Sequence, residues 1–211
     1  MDTSIQSPEE IKTFLPKRKN GTETFDNQYE SIKKQLMKAG VAKLDFIKKS
    51  RITYDPDKDL IGQGGFGSVY RCSVKGGEFK GKRTVLKSML FSLSDCNLPE
   101  IVNEINCHMM MNDHPYVVTI RKVCLELFRD RQPEGIDEKF DGYVHLIMDQ
   151  CDMDLAQYCV RFFDKGLDKQ LDRIFYQVAI AMEEIHARCL IHRDIKPQNI
   201  PAGSSKKKDF L

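Results

Sequence analysis

The chain has 211 residues, of which 33 are Lys or Arg and 31 are Asp or Glu. This length fits one domain, or one domain with an extension, and suffices to bury a hydrophobic core. The net charge of +2 excludes a chain whose bulk composition drives it onto nucleic acid or an anionic membrane. No apolar run approaches the roughly 18 residues of a membrane span, and the acidic start of the sequence does not resemble a signal peptide.

Seven cysteines are scattered along the chain without a CxxC pair. An odd number at such spacings favours reduced thiols over a disulfide framework or a zinc site, so we expect a cytoplasmic protein. Two short basic runs, at residues 16–19 and 206–208, are typical of solvated loops. Nuclear import is the alternative that such runs leave open.

Residues 1–56 differ in pattern from the rest and predict a helical or flexible extension. Ser7 and Pro8 are a favourable helix start, so a short helix is expected over 8–15, ended by Pro16. Apolar residues three or four positions apart predict a second amphipathic helix, which resumes after Gly40. These residues are Phe25, Tyr29, Ile32, Leu36, Leu44 and Ile47. We expect these helices to pack on their own domain or on a partner, and we assign no chemistry to them.

From Asp57 onward, short β-prone runs alternate with Gly-rich turns. Strands are predicted over 60–61, 68–74, 84–87, 116–128 and 143–148, and a helix over 99–111. A charged insertion at 129–142 separates the last two strands, and two helical stretches follow, the second at 168–188. This order indicates an α+β fold in two lobes, 57–148 and 149–200.

A glycine-rich stretch, GQGGFGSV at residues 62–69, contains the pattern GxGxxG. Glycine at its three fixed positions (Gly62, Gly64 and Gly67) lets backbone N–H groups approach phosphate oxygens, where a Cβ would collide. The pattern alone is weak evidence, because it also opens a helix in dinucleotide-binding folds. Here a β-prone run follows, which favours a strand–loop–strand flap over the phosphates of ATP.

Lys87 ends the apolar run TVLK, 20 residues after Gly67. A buried ammonium group is unfavourable unless it is paired, and Glu104 on the next predicted helix is the natural partner. The alternative is a lysine whose aliphatic stem lies along a sheet edge while its charge stays in water. Taken in isolation, Lys87 favours that alternative.

The most specific signal is HRDIKPQN at residues 192–199. One short loop carries Asp194, Lys196 and Asn199, and Pro197 stiffens the turn that holds them. These side chains supply a carboxylate to orient a hydroxyl, an ammonium to offset phosphate charge and an amide oxygen to bind a metal ion. Such a string, together with the upstream flap, is very rare by chance.

With these motifs in this order, the chain resembles a eukaryotic protein kinase over residues 57–200. GQGGFGSV is similar to the glycine-rich loop, TVLK to the strand with the ATP-binding lysine, NEI to the helix with its glutamate partner, and HRDIKPQN to the catalytic loop. Lys196 is similar to the residue that the Ser/Thr subgroup carries there. The resemblance implies a small β-rich lobe with one helix and an incomplete helical large lobe.

The resemblance also implies a role for each site residue, with ATP and Mg²⁺ as cofactors. Asp194 would accept the proton of the substrate hydroxyl, Lys196 would neutralise the transferring phosphoryl group, and Asn199 would bind Mg²⁺. Lys87, fixed by Glu104, would hold the α- and β-phosphates. Further nucleotide contacts are implied at the loop glycines, the adenine slot, the gatekeeper and the hinge: Gly62, Gly64, Gly67, Ile61, Val69, Val85, Met148, Asp149 and Cys151.

Three features depart from the family pattern. Val85 stands where the family usually has Ala, and one extra residue after the helix glutamate leaves open whether His108 or Met109 fills the apolar position behind the helix. After Ile200 the family continues with a β-hairpin, the DFG aspartate and the activation segment, whereas a basic run follows here. We therefore predict that residues 201–211 are an unrelated basic tail.

Together these observations predict an ATP-dependent Ser/Thr protein kinase, present as a truncated form without the DFG aspartate and activation segment. Such a form would lack one metal ligand and the substrate platform. The alternatives are a non-catalytic nucleotide-binding module, acting as a pseudokinase or regulatory decoy, and an unstable fragment. The expected partners are ATP and a protein substrate that the sequence does not identify, with no nucleic acid and no membrane. A partner for the N-terminal helices stays open.

Overall fold

The computed structural model describes residues 25–38, 41, 44–65, 67–95, 97–128, 134–137, 140–162 and 168–202. The chain forms two compact units. The first comprises Met1–Met109 with Ile120–Asp149, and the second comprises Met110–Thr119 with Gln150–Leu211. The predicted helix at 8–15 lies outside the described residues, as do both basic runs.

Within the described residues, the first unit contains a six-stranded antiparallel sheet. Its strands are β1 (Ile52–Thr53), β2 (Leu60–Gly64), β3 (Gly67–Val74), β4 (Thr84–Phe91), β5 (Ile120–Leu127) and β6 (Gly142–Asp149). The order is β1-β3-β4-β6-β5, and β2 also pairs with β3. The central strand β4 is the most continuously buried, as its β-branched and apolar residues favour.

Two α-helices of the first unit are described, α1 (Phe25–Lys38) and α2 (Leu98–Met110). Helix α1 confirms the second predicted helix of the extension. Its residues Ile32 and Leu36 are fully buried, so this part of the extension packs on its own domain. In α2, Ile101 and Ile105 are buried, and Met109 packs beside them. Met109 therefore fills the apolar position that the sequence left open.

Each face of the sheet has its own buried cluster, because successive residues of a strand point to opposite faces. The helix-side cluster combines α1 and α2 with alternate residues of the strands, including Met89, Val123, Val144 and Leu146. The outer cluster lies on the opposite face and consists of Ile47, Ile52, Phe79, Leu86, Cys124 and Ile147.

The helical pattern predicted to resume after α1 is wrong. Phe46 instead forms a parallel bridge with Val123 on the free edge of β5. The N–H of Val123 donates to the carbonyl of Asp45 at 3.1 Å, and the N–H of Ile47 donates to the carbonyl of Val123 at 2.9 Å. Leu44 is then buried in the helix-side cluster and Ile47 in the outer cluster. Leu44 and Ile47 are three residues apart, as on one face of a helix, but they are buried on opposite faces of the sheet.

The segment of residues 45–53, which we call the strap, crosses the outer face of this sheet. It begins at the β5 edge and ends in β1, where Ile52 pairs with Val74 of β3. Between the two, a 3₁₀ turn spans Lys49–Arg51. The strap therefore covers part of the outer face, where Ile47 and Ile52 are buried.

The second unit contains the helices α3 (Leu155–Phe162) and α4 (Asp168–Ala187), as predicted, and a two-stranded sheet of β7 (Met153–Asp154) and β8 (Pro201–Ala202). Its buried cluster comprises Leu155, Tyr158, Ile174 and Ala202. Because β8 is paired and Ala202 is buried, the packed region extends two residues beyond the predicted boundary at residue 200. Of the described helices, none combines the length and hydropathy needed to cross a bilayer.

Helix α4 ends in a Schellman motif. The N–H of Leu190 donates to the carbonyl of Ile185 at 3.0 Å, and that of Cys189 donates to the carbonyl of His186 at 2.9 Å. Cys189 has φ +57°, the left-handed conformation in which glycine is usual. This turn leads the chain directly into the loop that carries HRDIKPQN.

Candidate active site

The strands β2 and β3 form the predicted strand–loop–strand flap. Gly64 pairs with Gly67 across the turn, and Gln63 with Ser68, so the loop opens a strand and the dinucleotide-binding alternative is excluded. Gly67 has φ +127°, and a Cβ there would lie 2.2 Å from the carbonyl oxygen of Ser88. The fold therefore requires glycine at this position.

Gly62 and Gly64 differ from Gly67. No heavy atom lies within 4 Å of the position that a Cβ would take at either residue, so the chain's own packing does not require glycine there. Ile61, within β2, is 44% exposed. These open positions leave the flap backbone accessible to a group outside the chain.

Lys87 and Glu104 are brought together by β4 and α2. Lys87 is in register with Val69 on β3 and with Leu146 on β6, so it lies on a central strand and not at a sheet edge. Its Nζ donates to Oε1 of Glu104. The side chains are only 23% and 36% exposed, and the ion pair offsets the unfavourable burial of each charge.

The predicted gatekeeper and hinge lie at the end of β6. Met148 pairs in register with Val85, and Asp149 pairs with Thr84. The Asp149 carboxylate accepts two hydrogen bonds from Arg121 of β5, from Nε at 3.0 Å and from Nη2 at 2.5 Å. Sequence reasoning missed Arg121, which fixes this end of β6 with a bidentate contact. Cys151 follows in the second unit.

A polar network on the outer face of the sheet was also missed. His145 of β6 is fully buried. Its Nδ1 lies 2.8 Å from Oγ of Ser88, and its Nε2 lies 2.7 Å from Glu126. Lys49 of the strap donates to the same carboxylate at 2.6 Å.

The pKa shifts of Glu126 and His145 indicate which atoms of this network carry protons. Burial acts to raise the pKa of Glu126, but hydrogen bonds from His145 and Lys49 outweigh it and hold that pKa at about 2. Burial lowers the pKa of His145 below its ordinary value, so the ring is neutral at physiological pH. A carboxylate can only accept, so Nε2–H donates to Glu126 and Nδ1 accepts from the hydroxyl of Ser88.

This network acts on the backbone that connects the flap with the candidate ATP-binding lysine. Ser88 follows Lys87 directly, and its carbonyl oxygen packs against Gly67. The hydrogen bond from Ser88 to buried His145 therefore restrains this part of β4 from the outer face. In the sequence, the only signs of this network were His145 and Glu126, at isolated positions on predicted strands.

The loop at residues 192–199 is held at its far end by main-chain contacts. The N–H of Leu155 donates to the carbonyl of Ile200 at 2.8 Å, and Ala202 of β8 pairs with Met153 of β7. Within the loop, Arg193 has φ +63°. This conformation turns the chain between the end of α4 and the 3₁₀ turn at Pro197–Asn199.

Asp194, Lys196 and Asn199 form one contact group. Nζ of Lys196 lies 2.9 Å from Oδ2 of Asp194. Nδ2 of Asn199 donates to the same oxygen at 2.8 Å and to the carbonyl of Asp194 at 3.0 Å. The hydrogen bond from Lys196, supported by Asn199, lowers the pKa of Asp194 below its ordinary value, so this exposed carboxylate is ionised and can accept a hydrogen bond from a hydroxyl group.

The residues of this loop fit Mg²⁺ as part of a larger ligand set. Asn199 directs its amide nitrogen to Asp194, which leaves Oδ1 as a hard oxygen ligand. Among the described residues, no group of three His, Cys, Asp or Glu could hold a metal ion. Mg²⁺ commonly keeps waters and substrate phosphates with only one or two protein ligands, and Asn199 matches that pattern.

The antiparallel lobe, its flap and the HRDIKPQN loop define a protein kinase fold. Comparison with protein-family models agrees, because the family described as "protein kinase domain" matches residues 56–208. This match covers more than half of the chain. The chain therefore belongs to the protein kinase family, in its Ser/Thr type, and the predicted α+β fold class is confirmed.

Several curated proteins are similar to this chain. Cyclin-dependent kinase 4 of Xenopus laevis is 28% identical over 171 residues, which cover 77% of this chain and 49% of that protein. A cyclin-dependent kinase 4 homolog of Caenorhabditis elegans is 29% identical over 66% of this chain and 32% of its own length. Mitogen-activated protein kinase sma-5 of the same organism is 27% identical over 191 residues, which cover 90% of this chain and 33% of that protein. The chain thus spans about a third to a half of these relatives.

Proposed function

We propose that the protein to which these residues belong transfers the γ-phosphoryl group of ATP to Ser or Thr hydroxyls of other proteins. The observation that carries this proposal is the contact group of Asp194, Lys196 and Asn199 on one exposed loop. The ion pair of Lys87 with Glu104 supports it, because a paired ammonium on a central strand is suited to hold phosphates.

In the proposed step, the substrate hydroxyl oxygen forms a bond to the γ-phosphorus while the bond from that phosphorus to the β,γ-bridging oxygen breaks and ADP leaves. The hydroxyl proton passes to the carboxylate of Asp194. Lys196, 2.9 Å from that carboxylate, offsets the negative charge of the transferring group. Positioning and charge stabilisation of this kind account for most of the catalysis in phosphoryl transfer.

The first unit would bind the nucleotide in this proposal. Lys87, oriented by Glu104, would contact the α- and β-phosphates, and the flap backbone at Gly62 and Gly64 would donate N–H groups to phosphate oxygens. Ile61 would contact the adenine, along with Val69 and Val85. Mg²⁺, when bound, would neutralise phosphate charge, and Asn199 is the residue proposed to ligate it.

The activity is proposed for the whole protein, since the matched relatives are two to three times longer than the matched region. A chain that binds nucleotide without transferring phosphate would instead be a non-catalytic module.

The test combines a transfer assay with a binding assay. Radiolabelled phosphate incorporation from ATP into Ser/Thr peptides is measured for the wild type, for Asp194→Asn and for the exposed control Asp57→Asn. Mg-ATP binding is measured by thermal shift for the wild type, for Lys87→Ala and for the control Lys80→Ala. Incorporation lost only in Asp194→Asn supports the proposal, and equal incorporation in all three chains contradicts it. Binding lost only in Lys87→Ala, with no transfer by the wild type, identifies the non-catalytic module.

We also propose a cytoplasmic location. The cysteines that the structure describes are free thiols, which suits a reducing compartment. Cell fractionation with an epitope-tagged chain tests this, and recovery from a secretory compartment would contradict it.

A further inference from the structure

Lys49 of the strap brings a positive charge to the outer face of the sheet. Its side chain is 33% exposed, and its Nζ lies 2.6 Å from Oε2 of Glu126. Burial acts to lower the pKa of Lys49, but the hydrogen bond and the charge of Glu126 outweigh burial and raise that pKa above its ordinary value. The ammonium group is therefore protonated at physiological pH and stays paired with the carboxylate.

One chain of contacts, the polar arm, runs from this ammonium group through Glu126, His145 and Ser88. His145 is fully buried and Ser88 is 3% exposed. Ser88 is the register partner of Ser68 on β3, and its carbonyl oxygen is the atom that a Cβ at Gly67 would meet. The polar arm therefore ends where β3 leaves the turn of the flap.

A second chain of contacts, the aromatic arm, runs from the same ammonium group through Tyr54 and Tyr70. Nζ of Lys49 lies 5.1 Å from the ring centroid of Tyr54, which is within the range of a cation–π contact. The ring centroids of Tyr54 and Tyr70 lie 5.0 Å apart, and both rings pack on the outer cluster. Tyr70 belongs to β3 and pairs with Leu60 of β2, so the aromatic arm reaches both strands of the flap.

The two arms meet β3 two residues apart, beside Ser68 and at Tyr70. Val69 between them points to the opposite face, as does its register partner Lys87. The other strand of the flap, β2, is exposed along its whole length, so few packing contacts of its own stabilise it. The flap therefore takes its position from β3, which the two arms hold from the outer face.

We propose that Lys49 is a positioning residue, which holds the flap over the phosphates of the nucleotide by acting on β3 through these two arms. This inference rests on the proposed function, because it assigns the flap the task of binding phosphate. It gives the strap a role in ATP binding without any contact to the nucleotide itself. A lysine that served stability alone would affect the binding of ATP no more than the binding of its nucleoside.

The first experiment compares the affinities of the full chain for Mg-ATP and for adenosine by titration calorimetry. Lys49→Met should weaken Mg-ATP binding by about fivefold and adenosine binding by less than about twofold, because only ATP carries the phosphates that the flap covers. Lys49→Arg keeps the charge and should bind Mg-ATP like the wild type, as should the control Lys48→Met at an exposed strap residue. Equal weakening for both ligands, or an unchanged Mg-ATP affinity in Lys49→Met, would overturn the proposal.

The second experiment measures amide hydrogen exchange in the full chain without ligand. In Lys49→Met, exchange in β2 and β3 should accelerate by about tenfold, while α2 and the Lys48→Met chain change little. Unchanged exchange in the two flap strands, or acceleration of the same size throughout the chain, would contradict a specific hold on the flap and overturn the proposal.

Two further outcomes are separated by these experiments. If Lys49→Met does not fold, Tyr54→Leu removes the aromatic arm alone, and the same acceleration confined to β2 and β3 is expected; its absence overturns the proposal. A wild type that binds no Mg-ATP contradicts the proposed function, and hydrogen exchange then decides independently whether Lys49 holds the flap.

Discussion

The two groups of candidate catalytic residues are held in place in contrasting ways. Lys87 and Glu104 are separated by 17 residues and meet because a buried strand and a packed helix bring them together. Asp194, Lys196 and Asn199 lie within six residues of one another on an exposed loop and are held by local contacts.

This contrast predicts where each group is vulnerable. The pair in the first unit depends on β4, its neighbouring strands and α2, which are distant in sequence, so remote substitutions should disturb it. The loop in the second unit depends on its own backbone and on one strand pair. Substitutions in the loop should therefore affect chemistry without affecting stability.

The largest expected effect tests the local character of the loop. Asp194→Asn in the whole protein should reduce phosphoryl transfer by roughly 10²–10⁴-fold, because the amide cannot accept the proton. The free energy of unfolding should change by less than about 0.5 kcal/mol, since the side chain is half exposed. Transfer assays and denaturant unfolding measure the two quantities. A variant that loses stability along with activity would show that the loop is not locally held.

The next effect tests the packing of the flap. Gly67→Ala should lower the free energy of unfolding by about 2–4 kcal/mol, because the left-handed φ is retained by the sheet and a Cβ would meet the carbonyl of Ser88. Gly62→Ala, with open space around it, should change stability by less than about 1 kcal/mol. Similar melting curves for the two variants would contradict the distinction between the two glycines.

The outer-face network should show itself in the pH dependence of stability. The folded-state pKa of Glu126, about 2, lies below its ordinary value of 4.5, so its contribution is complete above that value and is lost as pH falls toward 2. At pH 7, Glu126→Gln should lower the free energy of unfolding by roughly 1–3 kcal/mol. The gap to the wild type should close as the pH approaches 2.

Chemical denaturation at several pH values measures this gap, with Glu30→Gln on the exposed face of α1 as the control. A gap that stays constant from pH 7 to pH 2 would mean that the ionised carboxylate contributes nothing through His145 and Lys49.

The smallest effect concerns the turn that leads into the HRDIKPQN loop. Cys189→Gly should raise the free energy of unfolding by about 0.4–1 kcal/mol, because glycine adopts φ +57° without strain. Cys189→Ala keeps the Cβ and should leave stability nearly unchanged. Thermal melting distinguishes the two, and a destabilised glycine variant would contradict the assignment of strain to this residue.

Sequence patterns succeeded where the relevant interactions are local. The flap, the helix at 98–110, the helix at 168–187 and the loop at 192–199 were all predicted, because turn glycines, helical periodicity and a compact motif specify them within a few residues. The Lys87–Glu104 pair was predicted only as one of two arrangements, and the fold decided between them.

Patterns failed where partners come from distant strands. Leu44 and Ile47 have helical spacing, but the free edge of β5 offers main-chain partners that no local pattern reveals. Arg121 and Asp149, or His145 and Glu126, meet only after the strands are in register. The predicted strand over 116–128 begins in the structure at Ile120, since a turn at 111–117 precedes it.

The pairing of residues 45–47 with β5 also has a consequence for association between molecules. An uncovered, regular sheet edge offers unpaired N–H and C=O groups to strands of other chains and promotes aggregation. Here both main-chain groups of Val123 are already satisfied by Asp45 and Ile47. Removing the amino-terminal segment through residue 47 would expose this edge, and the shortened protein is expected to self-associate at concentrations at which the intact chain stays dispersed.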